Sequence, residues 1–314
     1  MIARVLRSTV FRLLVTAAIL AYLVRDVDPG ELAAVLLQID PWWFGAALLL
    51  VALDRGVMIL RWVLLLRSAG VVLPVKSATW VFLVSSFVGS FLPAGVGGDA
   101  ARAYAVAART AQGTEAVASV AIDRILGLVA IVALGAIGLV GWAQHLTTAM
   151  RCELTLVSAG VGVLSVATLW TDQIVRVLVP ERYHAGRGAS RLLRLGDAVG
   201  GYRQRRSTLV LVLALSFVVQ MTRVLQGYCL GRGMAIDVDL SYYLVFMPIG
   251  LLLMLLPISI SGFGLPQGVM VWMLEPVGVP HSDAFALSTT IVLLGLLGNL
   301  PGAFLYLVRK KPVT

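Results

Sequence analysis

Charge is scarce in this sequence. Of 314 residues only 13% are charged while 59% are hydrophobic, and the mean hydropathy is +0.93. A soluble domain of this length needs a far more polar surface to stay dispersed in water, so the composition excludes that class and makes lipid the solvent. Cysteine and histidine are nearly missing as well. Cys152 and Cys229 are the only thiols, and His145, His184 and His281 are scattered. No spacing of metal ligands exists among them, so a zinc or haem site is not expected and no cofactor is implied. Both cysteines fall near the outer ends of expected spans, where a disulfide is conceivable. The alternation of polar and apolar residues that marks porin strands is also lacking, which leaves helices as the membrane-crossing element.

What charge there is leans to one sign, with 25 basic against 16 acidic residues and a net +9. In a soluble protein that excess would point to nucleic acid. Among membrane helices, arginine sets orientation and meets anionic lipid, so no nucleic-acid partner is expected.

The apolar blocks run to roughly 17–25 residues, enough helix to cross the hydrocarbon. Six full spans are expected: Leu6–Val24, Trp43–Leu60, Ala116–Val140, Leu154–Trp170, Thr208–Leu230 and Ala284–Val308. The first follows Arg4 and Arg7 like a signal peptide, but it has no clear small-residue cleavage site and leads into more membrane, so it reads as a helix. Two apolar pieces remain, Ser77–Leu92 and Ser241–Leu256. Each would be roughly 24 Å of helix, which is short for a crossing.

Both short pieces end on the same kind of sequence. The first runs into Leu92-Pro93-Ala94-Gly95-Val96-Gly97-Gly98-Asp99, the second into Leu256-Pro257-Ile258-Ser259-Ile260-Ser261-Gly262-Phe263-Gly264. Proline removes a helical hydrogen bond and glycine permits positive φ, so each helix is expected to break there. Broken backbone survives at membrane depth only when protein buries it or it lines a wet cavity. Two re-entrant hairpins are therefore expected, with full crossing by both pieces as the alternative.

Basic loops fix the sides. Arg4, Arg7 and Arg12, then Arg61, Arg67 and Lys76, then the arginines of 171–207, and finally Arg309, Lys310 and Lys311 are expected inside. The two hairpins then enter from opposite faces. Their Leu-Pro turns lie 164 positions apart (257 − 93), and an arginine precedes each by 32 (93 − 61) or 34 (257 − 223) residues. The expected fold is thus an all-α integral membrane protein, a single polytopic domain over 1–314 with about six transmembrane helices plus two re-entrant helical hairpins arranged as an inverted repeat. One half-repeat covers about 43–141 and the other about 208–308. Between them the basic cytoplasmic segment 171–207 contains Leu192, Leu193, Leu195 and Val199 among arginines from Arg176 to Arg206. That pattern suggests an amphipathic helix on the inner leaflet, with partner docking as the rival reading.

Two sets of residues could carry chemistry. The glycine turn leads into a helix expected over Ala100–Arg109 with Asp99 as its N-cap and Arg102 one turn on. Free N–H groups of Gly95, Gly97 and Gly98 at a helix start attract phosphate or carboxylate, although glycines there equally allow close helix packing. Charges within spans are the second set: Asp54, Arg55 and Arg61, then Asp123 and Arg124, then Arg223. Each costs on the order of 2.5–3.5 kcal/mol at the bilayer centre, so they should face the interior or water. Adjacent residues diverge by about 100° on a helix, so Asp54 and Asp123 are expected to pair across helices rather than with Arg55 and Arg124. Arg61 and Arg124 suit phosphate oxygens, and Asp54, Asp99 and Asp123 are the candidate proton carriers. Ser259, Ser261, Gly262 and Gly264 of the second break offer hydroxyls and bare backbone, for capping or for a headgroup. Asp237-Val238-Asp239 has the spacing of a sugar-nucleotide metal motif, but it lies on an expected outer loop, and no catalytic triad or nucleotide motif accompanies it.

Arg61-Trp62, the run Leu92 to Arg102, Asp123-Arg124 and the stretch Leu256 to Gly264 together resemble the lysylphosphatidylglycerol synthase transmembrane-region family, over nearly the whole chain. The resemblance implies a stand-alone flippase-like domain without the soluble aminoacyl transferase, in a bacterial or archaeal inner membrane with both termini cytoplasmic. It implies movement of a phospholipid, polyprenyl-linked or hopanoid-type lipid between leaflets, with Arg61, Arg102, Arg124 and Arg223 holding phosphate. A lipid-synthesis enzyme or a second copy in a homodimer are the partners to consider besides membrane lipids. The rivals are an intramembrane lipid-modifying enzyme and a scaffold for a cytosolic synthase. One position departs from the family: Gly264-Leu265-Pro266-Gln267 stands where glycine-x-arginine-glutamate is usual, which removes a cation and a carboxylate.

Overall fold

A computed structural model describes residues 37–90, 97–108, 110, 112–142, isolated positions between 152 and 163, 167–178, 187–254 and 264–308. The expected first span Leu6–Val24, parts of the span Leu154–Trp170 and both break tips, including Gly95, Ser259 and Ser261, lie outside the described residues. The described residues are helical, with no strand among them.

Eleven α-helices are described. In chain order they are α1 (Pro41–Ser68), α2 (Val75–Ser90), α3 (Gly97–Ala107), α4 (Gly113–Gly141), α5 (Thr171–Leu178), α6 (Arg187–Gly200), α7 (Arg206–Gly233), α8 (Leu240–Leu253), α9 (Leu265–Leu274), α10 (His281–Leu297) and α11 (Leu300–Val308). Local sequence explains the ends. Asp40 accepts the main-chain N–H of Trp42 at 2.8 Å and Pro41 opens α1, the pairing of acceptor and preset φ that favours a helix start. Gly70, at φ +83°, turns the chain out of α1 in the left-handed region that a side chain resists. Asp239 caps α8 through the N–H of Ser241 at 2.8 Å.

Among the described residues three apolar runs are long enough to cross a membrane: Gly113–Gly141, Arg206–Gly233 and His281–Val308. The last is not the single helix expected over Ala284–Val308. Gly298 and Asn299 separate α10 from α11, because Pro301 cannot donate the hydrogen bond that would continue the ladder. α1 is 28 residues long but carries Asp54, Arg55 and Arg61 along its length.

The most extensive helix pair among the described residues is α1 against α7. α4 crosses α8 and α7, α2 packs on α3, and α11 lies on α2. Small residues set these approaches: a Cβ on Gly138 would meet the carbonyl oxygen of Leu244 at 2.4 Å, and one on Gly302 that of Leu83 at 2.0 Å. Where lipid removes the hydrophobic drive between helices, such backbone-to-backbone packing does the joining. One apolar core gathers Tyr243, Phe246, Met247, Met270 and Leu274 of the second half, and another gathers Trp62, Phe82, Val106 and Ala116 of the first.

The basic segment holds two helices, α5 and α6, rather than one. α5 and α6 pack together, and α6 packs on α4. Val199 and Tyr202 are buried with Leu65, Ile122 and Val212, and the Tyr202 hydroxyl donates to the Leu65 carbonyl at 3.0 Å. Val199 and Tyr202 of this segment meet protein, while Leu192, Val177, Arg191 and Arg194 stay exposed. Cys229 is buried, Cys152 exposed, and both are free thiols.

Candidate functional site

Three helices bring the intramembrane charges to one place. α1 supplies Asp54, Arg55 and Arg61, α4 supplies Asp123 and Arg124, and α7 supplies Arg223. α3 adds Asp99 and Arg102 from its first turns. Asp99 is therefore not the N-cap, because α3 begins two residues earlier, at Gly97; its carboxylate is spent on arginines instead. Gly98 is held against α2, where a Cβ would meet the Ser85 carbonyl oxygen at 2.8 Å, and one on Gly89 would meet Gly98 itself at 2.6 Å. Close packing thus accounts for Gly98, and it seats Asp99 and Arg102 beside the long helices.

The charges alternate along a chain of contacts. Arg61 Nη2 stands 2.9 Å from Asp123 Oδ1. It also donates to the Asp123 main-chain carbonyl at 2.9 Å. That carbonyl takes the aligned hydrogen, so the Oδ1 contact is one of charge. The other oxygen of Asp123 accepts from Arg102 Nη2 at 3.3 Å. Arg102 Nη2 reaches Asp99 Oδ1 at 3.1 Å, and the second oxygen of Asp99 accepts from Arg124 Nε. The Arg102 guanidinium lies between two rings, 4.9 Å from the centroid of Trp62 and 5.1 Å from that of Phe82, a cation–π arrangement that strengthens away from water. Asp123 therefore pairs across helices, as its geometry on α4 demands.

A second group adjoins the first. Arg223 Nε donates to Asp54 Oδ1 at 3.0 Å, again across helices. Arg55 approaches Asp54 Oδ2 only to 3.7 Å and donates to the Gly295 carbonyl at 3.3 Å. Self-pairing within Asp54-Arg55 is thus the long, weak contact of the three.

Among the described residues five arginines and three aspartates gather here, two more cations than carboxylates (5 − 3). Asp54, Arg61, Arg102 and Asp123 are each no more than 5% exposed. The Arg124 side chain is 43% exposed, far more than its neighbours. Arg61, Asp99, Arg102, Asp123, Arg124 and Arg223 all line a cavity of about 340 Å³. Unbalanced guanidinium at membrane depth calls for an anion or water, and planar N–H forks suit phosphate or carboxylate oxygens.

Residues 9–302 match the model of the family described as Lysylphosphatidylglycerol synthase TM region. The chain belongs to this family. Comparison with curated proteins gives no match. Membership makes the protein a membrane domain associated with lipid handling.

The family's glycine-x-arginine-glutamate position can now be read in this member. Gln267, 1% exposed, accepts the Gly264 N–H on its Oε1 at 3.0 Å. Its Nε2 donates to Thr289 Oγ1 at 2.8 Å. The amide ties the start of α9 to α10, a clamp in place of a charge. Other contributors had no signal in the sequence. Asn299 Nδ2 donates to Ser90 Oγ at 2.7 Å, joining the α10–α11 interruption to the end of α2. Gln220, which lines the charged cavity, donates to the Gly127 carbonyl at 3.4 Å. In the Asp237-Val238-Asp239 loop, Asp237 pairs with Arg232 at 2.8 Å and Asp239 caps α8, so both acids have structural partners.

Proposed function

We propose that this protein moves a phosphate-bearing lipid between leaflets, with the headgroup held in the charged cavity and the tails in the surrounding lipid. The observation that carries the reading is the alternating Arg61–Asp123–Arg102–Asp99–Arg124 chain on the wall of a cavity of about 340 Å³. A lipid phosphodiester brings the anion that such a surplus of guanidinium requires. Arg124, the most exposed cation of the chain, makes first contact; Arg102 holds the phosphate deeper; Arg61 steadies Asp123; Arg223 faces the far side.

Helix lengths support the inverted-repeat build. α8, of 14 residues, reaches only about 21 Å, short of the hydrocarbon thickness, and α2 is described for 16 residues up to Ser90. In this reading each is the first arm of a re-entrant hairpin, one entering from inside and one from outside, with both termini in the cytoplasm of a bacterial or archaeal inner membrane. Gly95, Gly97 and Gly98 would then present N–H groups at one tip, and Ser259 and Ser261 hydroxyls at the other. Movement is passive or coupled to protons through Asp54, Asp99 or Asp123. Cargo is a phospholipid, a polyprenyl-linked or a hopanoid-type lipid carrying phosphate.

Purified protein in liposomes tests the function. Headgroup-labelled phosphatidylglycerol in the inner leaflet should become accessible to an impermeant quencher, and Arg61→Ala with Arg124→Ala should slow this at least tenfold. A chemically altered lipid without exchange would establish an intramembrane enzyme instead; neither result would leave a scaffold role for the basic segment 171–207. Cysteines at Gly97 and Gly262 should react with an impermeant thiol reagent from opposite sides, and labelling from one side alone would overturn the inverted arrangement.

A further inference from the structure

The arginine-rich segment 171–207 takes no part in the charged cavity, and its two helices leave apolar surface uncovered. Trp170, Ile174 and Val177 follow the i, i+4, i+7 spacing that puts side chains on one face of a helix. They are 41%, 42% and 82% exposed. α6 covers the other side of α5. A Cβ on Gly196 would lie 3.3 Å from the Asp172 Cα, and Arg176 pairs with Asp197 at 2.8 Å, both from the side of α5 turned away from Ile174 and Val177. α6 is itself divided along its length. Leu192 and Val199, seven residues apart, share a face, yet Val199 is buried with Ile122 of α4 while Leu192 is 53% exposed.

The surrounding helices set the level of this surface. Val199 and Tyr202 gather with Leu65, Ile122 and Val212. α1 ends three residues past Leu65 (68 − 65), α4 begins nine before Ile122 (122 − 113), and α7 begins six before Val212 (212 − 206). Three long helices thus terminate around the segment on one face of the bundle, which in a membrane-embedded chain is the level of headgroups rather than of hydrocarbon.

Charge narrows what can cover it. Over 171–207 eight arginines stand against three carboxylates, a net +5 (8 − 3). Two of those carboxylates are engaged, Asp197 by Arg176 at 2.8 Å and Asp172 by Arg203 at 2.5 Å. Arg203 also lies 5.8 Å from the ring centroid of Trp170. Arg191 and Arg194 are exposed and make no ion pair among the described residues. An open apolar stripe suits water poorly, and open arginines suit hydrocarbon poorly. An anionic leaflet surface accepts both: indole favours that depth, aliphatic side chains enter the acyl boundary, and guanidinium meets lipid phosphate.

We infer that α5 and α6 form a charge-selective foot that docks on the anionic surface of the surrounding membrane. Trp170, Ile174, Val177 and Leu192 enter the interface, and Arg191 and Arg194 supply the attraction. This role goes beyond the translocation reading and does not depend on it.

The test uses the full chain in nanodiscs. Val177→Cys in a Cys152→Ser background, where Cys229 is buried, carries an NBD label. In discs containing phosphatidylglycerol the emission should shift to the blue and be quenched by lipid bearing an acyl-chain nitroxide. In phosphatidylcholine discs, or at about 1 M salt, where screening acts within about 3 Å, both effects should fall away. An arginine near an anionic surface is worth about fivefold in docking, so Arg191→Gln with Arg194→Gln should lower the ratio of docked to undocked label on the order of tenfold. Both positions are exposed, which spares the fold, and Leu192→Gln should weaken docking with no change of charge. A label that stays in water in phosphatidylglycerol discs overturns leaflet docking and leaves the stripe to a protein partner. Equal quenching in the two kinds of disc, or a double variant that docks as wild type does, overturns charge selection. Neither measurement reads lipid exchange, so a failure of translocation leaves the foot standing.

Discussion

The two helix–interruption–helix units are alike in build and unlike in charge. α2 and α3 flank one interruption, α8 and α9 the other, and an arginine-bearing long helix precedes each: α1 with Arg61 and α7 with Arg223. Around the first, Asp99 and Arg102 join a network of five charges. Around the start of the second, the described joints are neutral, Gln267 to Gly264 and Thr289 and the Tyr242 hydroxyl to the Met273 carbonyl, while Glu275 meets His281 at 2.7 Å beyond the far end of α9. Neutral amides and hydroxyls fix a backbone without leaving surplus charge, whereas guanidinium in excess waits for a ligand. On the proposed reading the phosphate is held at the first unit, and the described part of the second fixes backbone.

The difference should appear as unequal mutational costs. Asp123→Ala removes the carboxylate shared by Arg61 and Arg102 and leaves two buried cations opposed. Breaking a buried ion pair costs about 3–5 kcal/mol, so the variant should show the largest loss of stability in reversible denaturation in mixed micelles. Gln267→Leu strands the Gly264 N–H and the Thr289 hydroxyl, for about 1–3 kcal/mol by the same measurement; lipid exchange per folded molecule should stay within about twofold of wild type, because no charge at the first unit is touched. Asp239→Ala, at the capped start of α8 and away from both interruptions, should cost about 1 kcal/mol, the usual worth of an N-cap. The Ser241 hydroxyl and N–H hold the Asp239 carboxyl below its ordinary value. A lowered folded pKa stabilises above the unfolded value and is lost as pH falls through the folded one, so wild type and Asp239→Ala should converge in stability below the usual carboxylate range.

Much of the first unit was legible in the residues. A charge inside an apolar span must find a partner, and the 100° between neighbours on a helix sends Asp54 and Asp123 to other helices. Arg223 and Arg61 answer them, on the two helices that pack most closely. Asp99 misled because an acid after glycines resembles a cap, while the pull of Arg102 and Arg124 depends on a helix start two residues earlier and on neighbours that spacing cannot supply. Asn299 and Ser90 are 209 positions apart, and periodicity assigns each a face without saying which helix that face meets. Likewise the arginine-rich 171–207 segment has the amphipathic pattern of a leaflet-bound helix. The pattern requires only that apolar residues be covered; protein covers Tyr202 and Val199, while Leu192 and Val177 stay exposed.

Arg124→Gln and Gln267→Leu, reconstituted at equal folded amounts in phosphatidylglycerol-containing liposomes, place the charged unit and the neutral unit in direct competition. If phosphate is carried past the Arg61–Arg124 chain, Arg124→Gln slows lipid exchange at least tenfold while Gln267→Leu remains near wild type. Equal rates in the two variants, or a slower Gln267→Leu, would contradict the assignment of transport chemistry to the first unit.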